Sequence, residues 1–178
     1  MSDQSVQLQA HPAHPIDGID RLEFNASWNG DGLSLRYDLF GDLSRLQIPT
    51  GDDGARRDEL WRRTCFEAFL RANGADAYVE FNFSPNRDWA AYQFTTYREG
   101  RTDLAIANPK IEVASTPVHL SVLVTLTPLP EALQGRELQL GPTAIVQGKD
   151  ARLSYWALHH PSNKPDFHHS ETFQLNLG

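Results

Sequence analysis

Two glutamates, Glu67 and Glu80, are the residues whose spacing most directly suggests chemistry. They lie in two alternating runs, 64–70 and 77–84, on either side of Asn73-Gly74. Asn-Gly is a strong signal for a two-residue hairpin turn, because both turn positions require a positive φ. Counting outward from that turn places Glu67 directly opposite Glu80. Carboxylates that face each other on a sheet repel, so the pattern predicts a cation, a shared proton or a ligand between them.

A third alternating run, 89–96, extends the same face. Turn residues at 84–88 precede it, and pairing Ser84 with Trp89 keeps one face of the three strands apolar. The polar face then carries Glu67, Glu80, Asn82, Gln93, Thr95 and Tyr97, with Tyr78 and Trp89 among them. A solvated outer face is one interpretation of this pattern. A ligand-binding face is the other, because polar small-molecule sites combine aromatic rings, amides and carboxylates.

The glutamate pair also admits catalytic and metal-binding interpretations. Opposed carboxylates about 5 Å apart have the geometry of a retaining glycosidase. In such a pair the pKa of one carboxyl group is raised above that of the other, so that one can act as an acid and the other as a base. Calcium could be held by the oxygens of Glu67, Glu80 and Asn82. An arginine bridging the carboxylates is the structural alternative, and the chain offers Arg62, Arg63, Arg71, Arg98 and Arg152.

A second dense segment, 154–169, contains four of the seven histidines: His159, His160, His168 and His169. Imidazoles across a loop can bind zinc or another transition metal. Neighbouring histidines in an extended chain point to opposite sides, so one of each pair would reach a shared ion. Loop-ordering polar residues are the structural alternative, with Asp166 holding a histidine tautomer. Histidines beside Trp156 and Lys164 could also hydrogen-bond a sugar or an anion.

Strand signals dominate the rest of the chain. Alternating runs occur at 22–28, 33–40, 110–114, 118–127, 138–147 and 152–160, and turn residues recur about every ten positions, which predicts an all-β sandwich or barrel. Asn29-Gly30-Asp31-Gly32 predicts a hairpin between the first two runs. Short helical turns are expected at 60–63 and 130–133. The expected organisation is a flexible N-terminal tail, residues 1–15, followed by one β-sandwich domain, residues 16–178.

Composition limits the partners. The chain has 178 residues, a net charge of −7 and a pI near 5.4, which argues against nucleic acid or anionic membrane as the main partner. A single cysteine, Cys65, excludes an intrachain disulfide. Residues 1–18 lack the apolar core of a signal peptide and the chain has no apolar stretch of membrane-spanning length, so a cytoplasmic location is expected.

Three stretches resemble a known family. Residues 60–70 (LWRRTCFEAFL), 78–85 (YVEFNFSP) and 89–92 (WAAY) with 97–100 (YREG) are similar to the bacterial DOMON-like domains, which are related to type 9 carbohydrate-binding modules. The ending, 155–158 through 164–168, is similar to the same group. The resemblance implies a jelly-roll-like β-sandwich that binds a sugar, haem or another small ligand without catalysis. In sugar-binding relatives two tryptophans sandwich the sugar, and the candidates here are Trp61, Trp89 and Trp156.

Haem-binding relatives use a methionine and a histidine as axial ligands. The only methionine of this chain is Met1, so haem is not expected. Some sugar-binding relatives bind calcium, so calcium stays a candidate metal. Zinc is the other candidate, because of the histidines at 159–169.

The sequence thus predicts a non-catalytic β-sandwich that binds a small ligand, with carbohydrate favoured. The alternatives are a glycosidase-like or metal-assisted hydrolase built on Glu67/Glu80 or on residues 159–169, and a protein-interaction domain that uses an uncovered sheet face. The predicted ligand-binding residues are Glu67, Glu80, Asn82, Gln93, Trp61, Trp89, Tyr97, Arg98, Trp156, His160, Lys164, Asp166 and His168.

Overall fold

The computed structural model describes residues 2–28 and 31–178. Within these residues the chain is all-β, with no α-helix. The strands are β1 Ser2–Ala10, β2 Ile19–Trp28, β3 Leu33–Gly41, β4 Cys65–Ala72, β5 Tyr78–Phe83, β6 Trp89–Phe94, β7 Thr102–Asp103, β8 Lys110–Thr116, β9 His119–Leu126, β10 Leu138–Gln147, β11 Leu153–Ala157 and β12 Leu175–Leu177. Short 3₁₀ turns lie at Leu43–Arg45, Leu60–Arg62, Glu131–Leu133 and Ser170–Thr172. The turns at 60–62 and 131–133 confirm two sequence predictions.

The strands form a continuous antiparallel sheet in the order β7-β6-β5-β4-β10-β11-β1-β2-β3-β9-β8, with β12 beside β10. The sheet curls so that its two halves face each other across one apolar core. The Tyr37 hydroxyl of β3 crosses that core and donates a 2.5 Å hydrogen bond to the Glu67 carbonyl of β4. The arrangement is the predicted antiparallel sandwich.

The core is built by period-two alternation. On β9, Leu120, Val122, Val124 and Leu126 are buried, as the alternation predicts, whereas Val118 precedes the strand and is exposed. The predicted run 138–147 coincides with β10. Strands whose alternate side chains are apolar bury one face and leave the other free for different uses.

The expected loose tail is wrong. Residues 2–8 pair with β2, and Gln9 and Ala10 pair with β11, so β1 joins the two halves of the sheet. Leu8 is fully buried. The signal was weak because Val6 and Leu8 are the only large apolar residues of a run that is otherwise polar or small.

The predicted register of β4 with β5 is wrong by two residues. Glu67 faces Asn82, and Phe69 faces Glu80. A turn does form at Asn73-Gly74, where the Ala75 amide donates to the Ala72 carbonyl at 3.0 Å. However, Ala72 pairs with β10, and residues 75–77 stay outside the ladder. A shift of two keeps the side chains on their faces, so Glu67 and Glu80 are diagonal neighbours of one face rather than opposite partners.

The predicted register of β5 with β6 is wrong by one residue. The Ser84 amide donates to the Asp88 carbonyl at 2.8 Å, so Phe83 faces Trp89. Arg87 takes a left-handed conformation with φ 67° and closes this tighter turn. A shift of one exchanges the faces of the strand. Trp89 therefore points into the main core, and Tyr92 comes to lie opposite Glu80.

The pairing of Trp28 with Leu33 confirms a hairpin between β2 and β3. Its predicted turn residues Asn29 and Gly30 lie outside the described residues, as does Met1. Among the helical segments in the described ranges, none has the length and apolar character needed to cross a membrane.

Candidate functional site

A cavity of about 390 Å³ lies on the outer face of the sheet half that contains β4, β5 and β10. Residues 158–174, the covering segment, cross this face. Their Phe167 and Phe173 pack on Phe69 and Tyr78 in a second apolar cluster. The walls of the cavity are formed by Trp61, Glu67, Phe69, Glu80, Phe94, Arg98, Arg101, Ile145, Tyr155, Pro165, Phe167 and His168.

The floor of the cavity is acidic and short of hydrogen-bond donors. Glu67 and Glu80 are 2% and 6% exposed. The Thr143 hydroxyl donates to Glu67 at 3.2 Å, and the Asn82 amide donates to Glu80 at 2.9 Å. The Asn82 side-chain oxygen is buried without a hydrogen-bond partner among the described residues. Buried acceptors are normally paired, so the floor has unused capacity to accept hydrogen bonds.

Burial sets the protonation of this floor. It raises the pKa of Glu67 well above its usual range, and the charge of Glu80 raises it further, against the Thr143 hydroxyl. Burial also raises the pKa of Glu80, although Asn82, Arg101 and Arg98 oppose the rise. Glu67 therefore lacks a compensating cation, whereas Glu80 has two nearby. Of the two carboxyl groups, Glu67 is therefore the one whose surroundings favour the protonated form more.

His168 forms the side wall. Its Nδ1 lies 2.7 Å from the Tyr78 hydroxyl, which accepts a 3.1 Å hydrogen bond from the Arg98 amide. Burial lowers the pKa of His168 to about 4, and Arg98 adds to the effect. The ring is thus neutral at pH 7. Because the hydroxyl can donate its single proton to Nδ1, the neutral ring carries its own hydrogen on Nε2. This Nε2 atom lies 3.8 Å from a Glu80 carboxylate oxygen.

Asp166 ties the covering segment to the loop between β6 and β7. Its carboxylate accepts hydrogen bonds from the Tyr97 hydroxyl at 2.6 Å, the Arg98 guanidinium at 2.8 Å and the His168 amide at 3.2 Å. Although burial raises the pKa of Asp166, Tyr97 and Arg98 outweigh it and hold the pKa below its usual value. The group therefore stays ionised, and this clamp fixes one edge of the cavity.

Aromatic rings line the opposite edge. The 3₁₀ turn at 60–62 places Trp61 against Tyr92, with ring centroids 6.0 Å apart. The Arg101 guanidinium lies 4.1 Å from the Tyr92 ring centroid and 5.4 Å from that of Trp61. Trp61 is half-buried, whereas Trp28, Trp89 and Trp156 are at most 8% exposed. Trp61 is consequently the tryptophan that can meet a ligand in this cavity.

The structure brings together many of the predicted residues. Trp61, Glu67, Glu80, Arg98 and His168 line the cavity directly. Asn82, Tyr97 and Asp166 contact lining residues through the hydrogen bonds described above. The glutamate face and the histidine segment, which the sequence left as separate places, therefore meet at one cavity.

Besides Asn82, Tyr97 and Asp166, five predicted residues do not line it. Trp89 and Trp156 point into the main core, because each alternates with a cavity-side neighbour on its strand. Gln93 pairs with Val79, so its side chain points to the other face of the sheet from Glu80, where its amide donates to the Thr102 hydroxyl. His160 hydrogen-bonds the Gln9 carbonyl at 2.8 Å, and Lys164 is exposed in the covering segment.

Sequence reasoning missed several lining residues. Tyr155 alternates with Trp156 and so reaches the outer face, a signal that the register of β11 could have given. Phe69 lies two positions after Glu67 on β4 and so shares its face, a signal that the alternation could have given. Arg101 and Phe167 come from loops, and no periodicity marks them. The position of Phe167 depends on how the covering segment folds back, and that of Arg101 depends on the loop between β6 and β7.

The described residues contain no group of three or more His, Cys, Asp or Glu side chains arranged to hold a metal ion. The histidines of the covering segment diverge: His160 contacts β1, while His159 lies 3.4 Å from Glu171 and His168 faces the cavity. These histidines therefore do not come together as the zinc site that the sequence left open for residues 159–169.

Comparison with known proteins identifies the fold. No protein-family description and no curated protein matches the sequence. Among solved structures, the chain is similar to a candidate carbohydrate-binding protein from Bacteroides uniformis ATCC 8492, with a TM-score of 0.64 and 16% identity over 97% of this chain and 84% of that one. It is also similar to a family 9 carbohydrate-binding module from Caldicellulosiruptor kristjanssonii in complex with cellotriose, with a TM-score of 0.51 and 13% identity over 86% of this chain and 72% of that one.

These likenesses define the class of the fold. The chain has the all-β fold of carbohydrate-binding proteins that include a family 9 module. At such low identity the similarity concerns the fold, and the chemistry of the cavity has to be argued from its own residues.

Proposed function

We propose that this protein binds a sugar in the cavity between the covering segment and the outer face of the sheet, without catalysing a reaction on it. The observation that carries the proposal is the composition of the cavity. A half-buried tryptophan stands at one edge, and two buried carboxyl groups, each with a single described side-chain hydrogen bond, form the floor. Sugars present apolar ring faces that stack on aromatics and hydroxyls that donate hydrogen bonds, so they match both features.

The size of the cavity supports a small ligand. Pockets for small molecules usually have volumes of about 300–1,000 Å³, and the cavity of about 390 Å³ lies near the lower end. A monosaccharide, or the terminal unit of a longer chain, is therefore the expected occupant. In this arrangement Trp61 stacks on the ring, while Glu67 and Glu80 accept from its hydroxyls. The fold shared with carbohydrate-binding proteins is consistent with this use.

Tryptophan fluorescence tests the proposal. Titrating the protein with a panel of hexoses, pentoses and short oligosaccharides should change its emission, because Trp61 lies at the cavity. Trp61→Phe should abolish the ligand-induced change and weaken binding measured by calorimetry. Val118→Ala, a truncation at an exposed residue of the β8–β9 turn, serves as the control.

Two outcomes would contradict the proposal. One is that no sugar in the panel produces heat or a fluorescence change. The other is that Trp61→Phe binds and responds like the parent protein, which would place the ligand elsewhere.

A hydrolase is the second candidate, because two buried carboxyl groups with raised pKa values face one cavity. The direct opposition that suggested a retaining glycosidase is wrong, since Glu67 faces Asn82. Release of nitrophenol from aryl glycosides by the parent protein, and its loss in Glu80→Gln, would favour this function over simple binding.

The third sequence hypothesis, a protein-interaction domain on an uncovered face, loses its basis on this side of the sheet. The covering segment occupies that face, where Phe167 is 7% and Phe173 is 5% exposed. The cytoplasmic location stays a prediction.

A further inference from the structure

The two carboxyl groups of the cavity floor are not equivalent. Arg98 and Arg101 both lower the pKa of Glu80, whereas no cation acts on that of Glu67. Of the ion pairs within 4 Å among the described residues, none involves Glu67, and Arg98 is engaged by Asp166 at 2.8 Å. The positive groups of the cavity thus act on the pKa of Glu80 more than on that of Glu67, although neither carboxyl group has an arginine within 4 Å among the described ion pairs.

The surroundings of Glu67 would suit a cation. Its side chain accepts one described side-chain hydrogen bond, from Thr143, and it lies across the strand pair from Asn82, whose side-chain oxygen is buried and unpartnered. Tyr155 also lines the cavity, and its pKa is raised first by burial and then by the Glu67 carboxyl group. An ammonium group carries three donors and a positive charge, and it is attracted by carboxylates and by aromatic faces.

A neutral sugar would meet these needs incompletely. Its hydroxyls can donate to the floor, but they leave Glu67 either uncompensated or protonated, and a buried unpaired carboxylate is costly. A protonated amine would replace that proton with a charge-assisted hydrogen bond, which is about twice as strong as a neutral one.

We infer that the cavity selects sugars that carry a protonated amino group, with Glu67 as the residue that recognises it. This inference rests on the proposed sugar-binding function and specifies its ligand class. The amine lies at the Glu67 side of the floor, and the ring stacks toward Trp61. Binding replaces the proton held by Glu67, so each bound amino sugar releases up to one proton to solvent.

Calorimetry with D-glucosamine, D-glucose and N-acetyl-D-glucosamine tests this inference. At pH 6.5 we expect glucosamine to bind at least tenfold more tightly than glucose, and we expect N-acetylglucosamine, which lacks the charge, to lose that advantage. Repeating the glucosamine titration in two buffers of different ionisation enthalpy measures the released protons directly on the unmodified protein.

Glu67→Gln tests the location. The preference for glucosamine over glucose should fall to about one in this variant, because the amide carries no charge, while Glu112→Gln, an exposed position on β8, should keep it. Thermal unfolding of each variant checks that it is folded. If Glu67→Gln does not fold, the number of protons that the parent protein releases on binding glucosamine decides whether the inference stands.

The outcomes separate the two proposals. Equal affinity for glucose and glucosamine, or a preference that survives in folded Glu67→Gln, overturns the role of Glu67 while sugar binding stands. Glucosamine binding without proton release also overturns the exchange at Glu67. The absence of binding by all three sugars and by the wider panel removes the sugar-binding function, and the amine preference with it.

Discussion

Replacing Asp166 with alanine should release one edge of the covering segment. The carboxylate of Asp166 is the shared acceptor for Tyr97, Arg98 and the His168 amide, and its side chain is 16% exposed. Two of these bonds join the covering segment to Tyr97 and Arg98, and the third, from the His168 amide, lies within the segment. The substitution removes all three and leaves a peptide amide without its acceptor.

The magnitude follows from the exposure of the partners. The side chain of Arg98 is 49% exposed, so its ion pair contributes only about 0.5 kcal/mol. The hydrogen bond from the Tyr97 hydroxyl contributes about 1 kcal/mol, and the unsatisfied His168 amide costs about another 1 kcal/mol. The free energy of unfolding should therefore fall by about 2–3 kcal/mol, which corresponds to about 5–10 °C in Tm for a chain of this size.

Urea denaturation at pH 7 measures the change, and Asp17→Ala is the matched control. Asp17 also pairs with an arginine, at 3.3 Å, but its side chain is 74% exposed, so we expect a loss below about 0.5 kcal/mol. Because the pKa of Asp166 is lowered in the folded state, its contribution is present above the unfolded pKa of about 3.9 and is lost as the pH falls through the folded value. A loss in Asp166→Ala no larger than in the control would refute the clamp.

Two further predictions concern the cavity wall and the core. The pKa of His168 falls from about 6.5 unfolded to about 4 folded, so the unfolded chain binds more protons and stability falls by up to about 3 kcal/mol between pH 6.5 and 4. His168→Gln should flatten that part of the stability profile, and parallel profiles for the two proteins would contradict the buried neutral ring. Tyr37→Phe removes the hydrogen bond between the sheet halves and should cost about 1–3 kcal/mol in urea denaturation; an unchanged midpoint would show that this bond does not stabilise the sandwich.

The strands were largely predictable because alternation is a local property. The runs that became β2, β3, β9 and β10 carry apolar residues at every second position, and burial of one face requires that pattern. β1 was missed because Val6 and Leu8 are too few to stand out, although pairing on both sides stabilises the strand.

Registers were less predictable than strands. A hairpin count assumes that the first residues after a turn pair with each other, but residues 75–77 stay outside the ladder and β5 begins only at Tyr78. For β5 and β6, the left-handed conformation of Arg87 allowed a turn one residue tighter than the count assumed. The first error preserved the faces, so the glutamate pair survived as a shared face, whereas the second exchanged them and moved Gln93 and Trp89 away from it.

The cavity itself required tertiary information. Its floor could be found from β4 and β5, but its roof depends on the path of residues 158–174, which contain little regular structure. The contact between His168 and Glu80, 88 positions apart in the numbering, follows from that path alone. The donor-poor environment of Glu67 became visible only when burial and partners were known.

A crystal structure of the protein with a bound sugar tests the central claim most directly. We predict a sugar ring stacked on Trp61, with hydroxyl or amino groups within hydrogen-bond distance of the Glu67 and Glu80 carboxyl groups. A sugar bound at another surface, with the cavity beneath the covering segment filled only by solvent, would contradict the account.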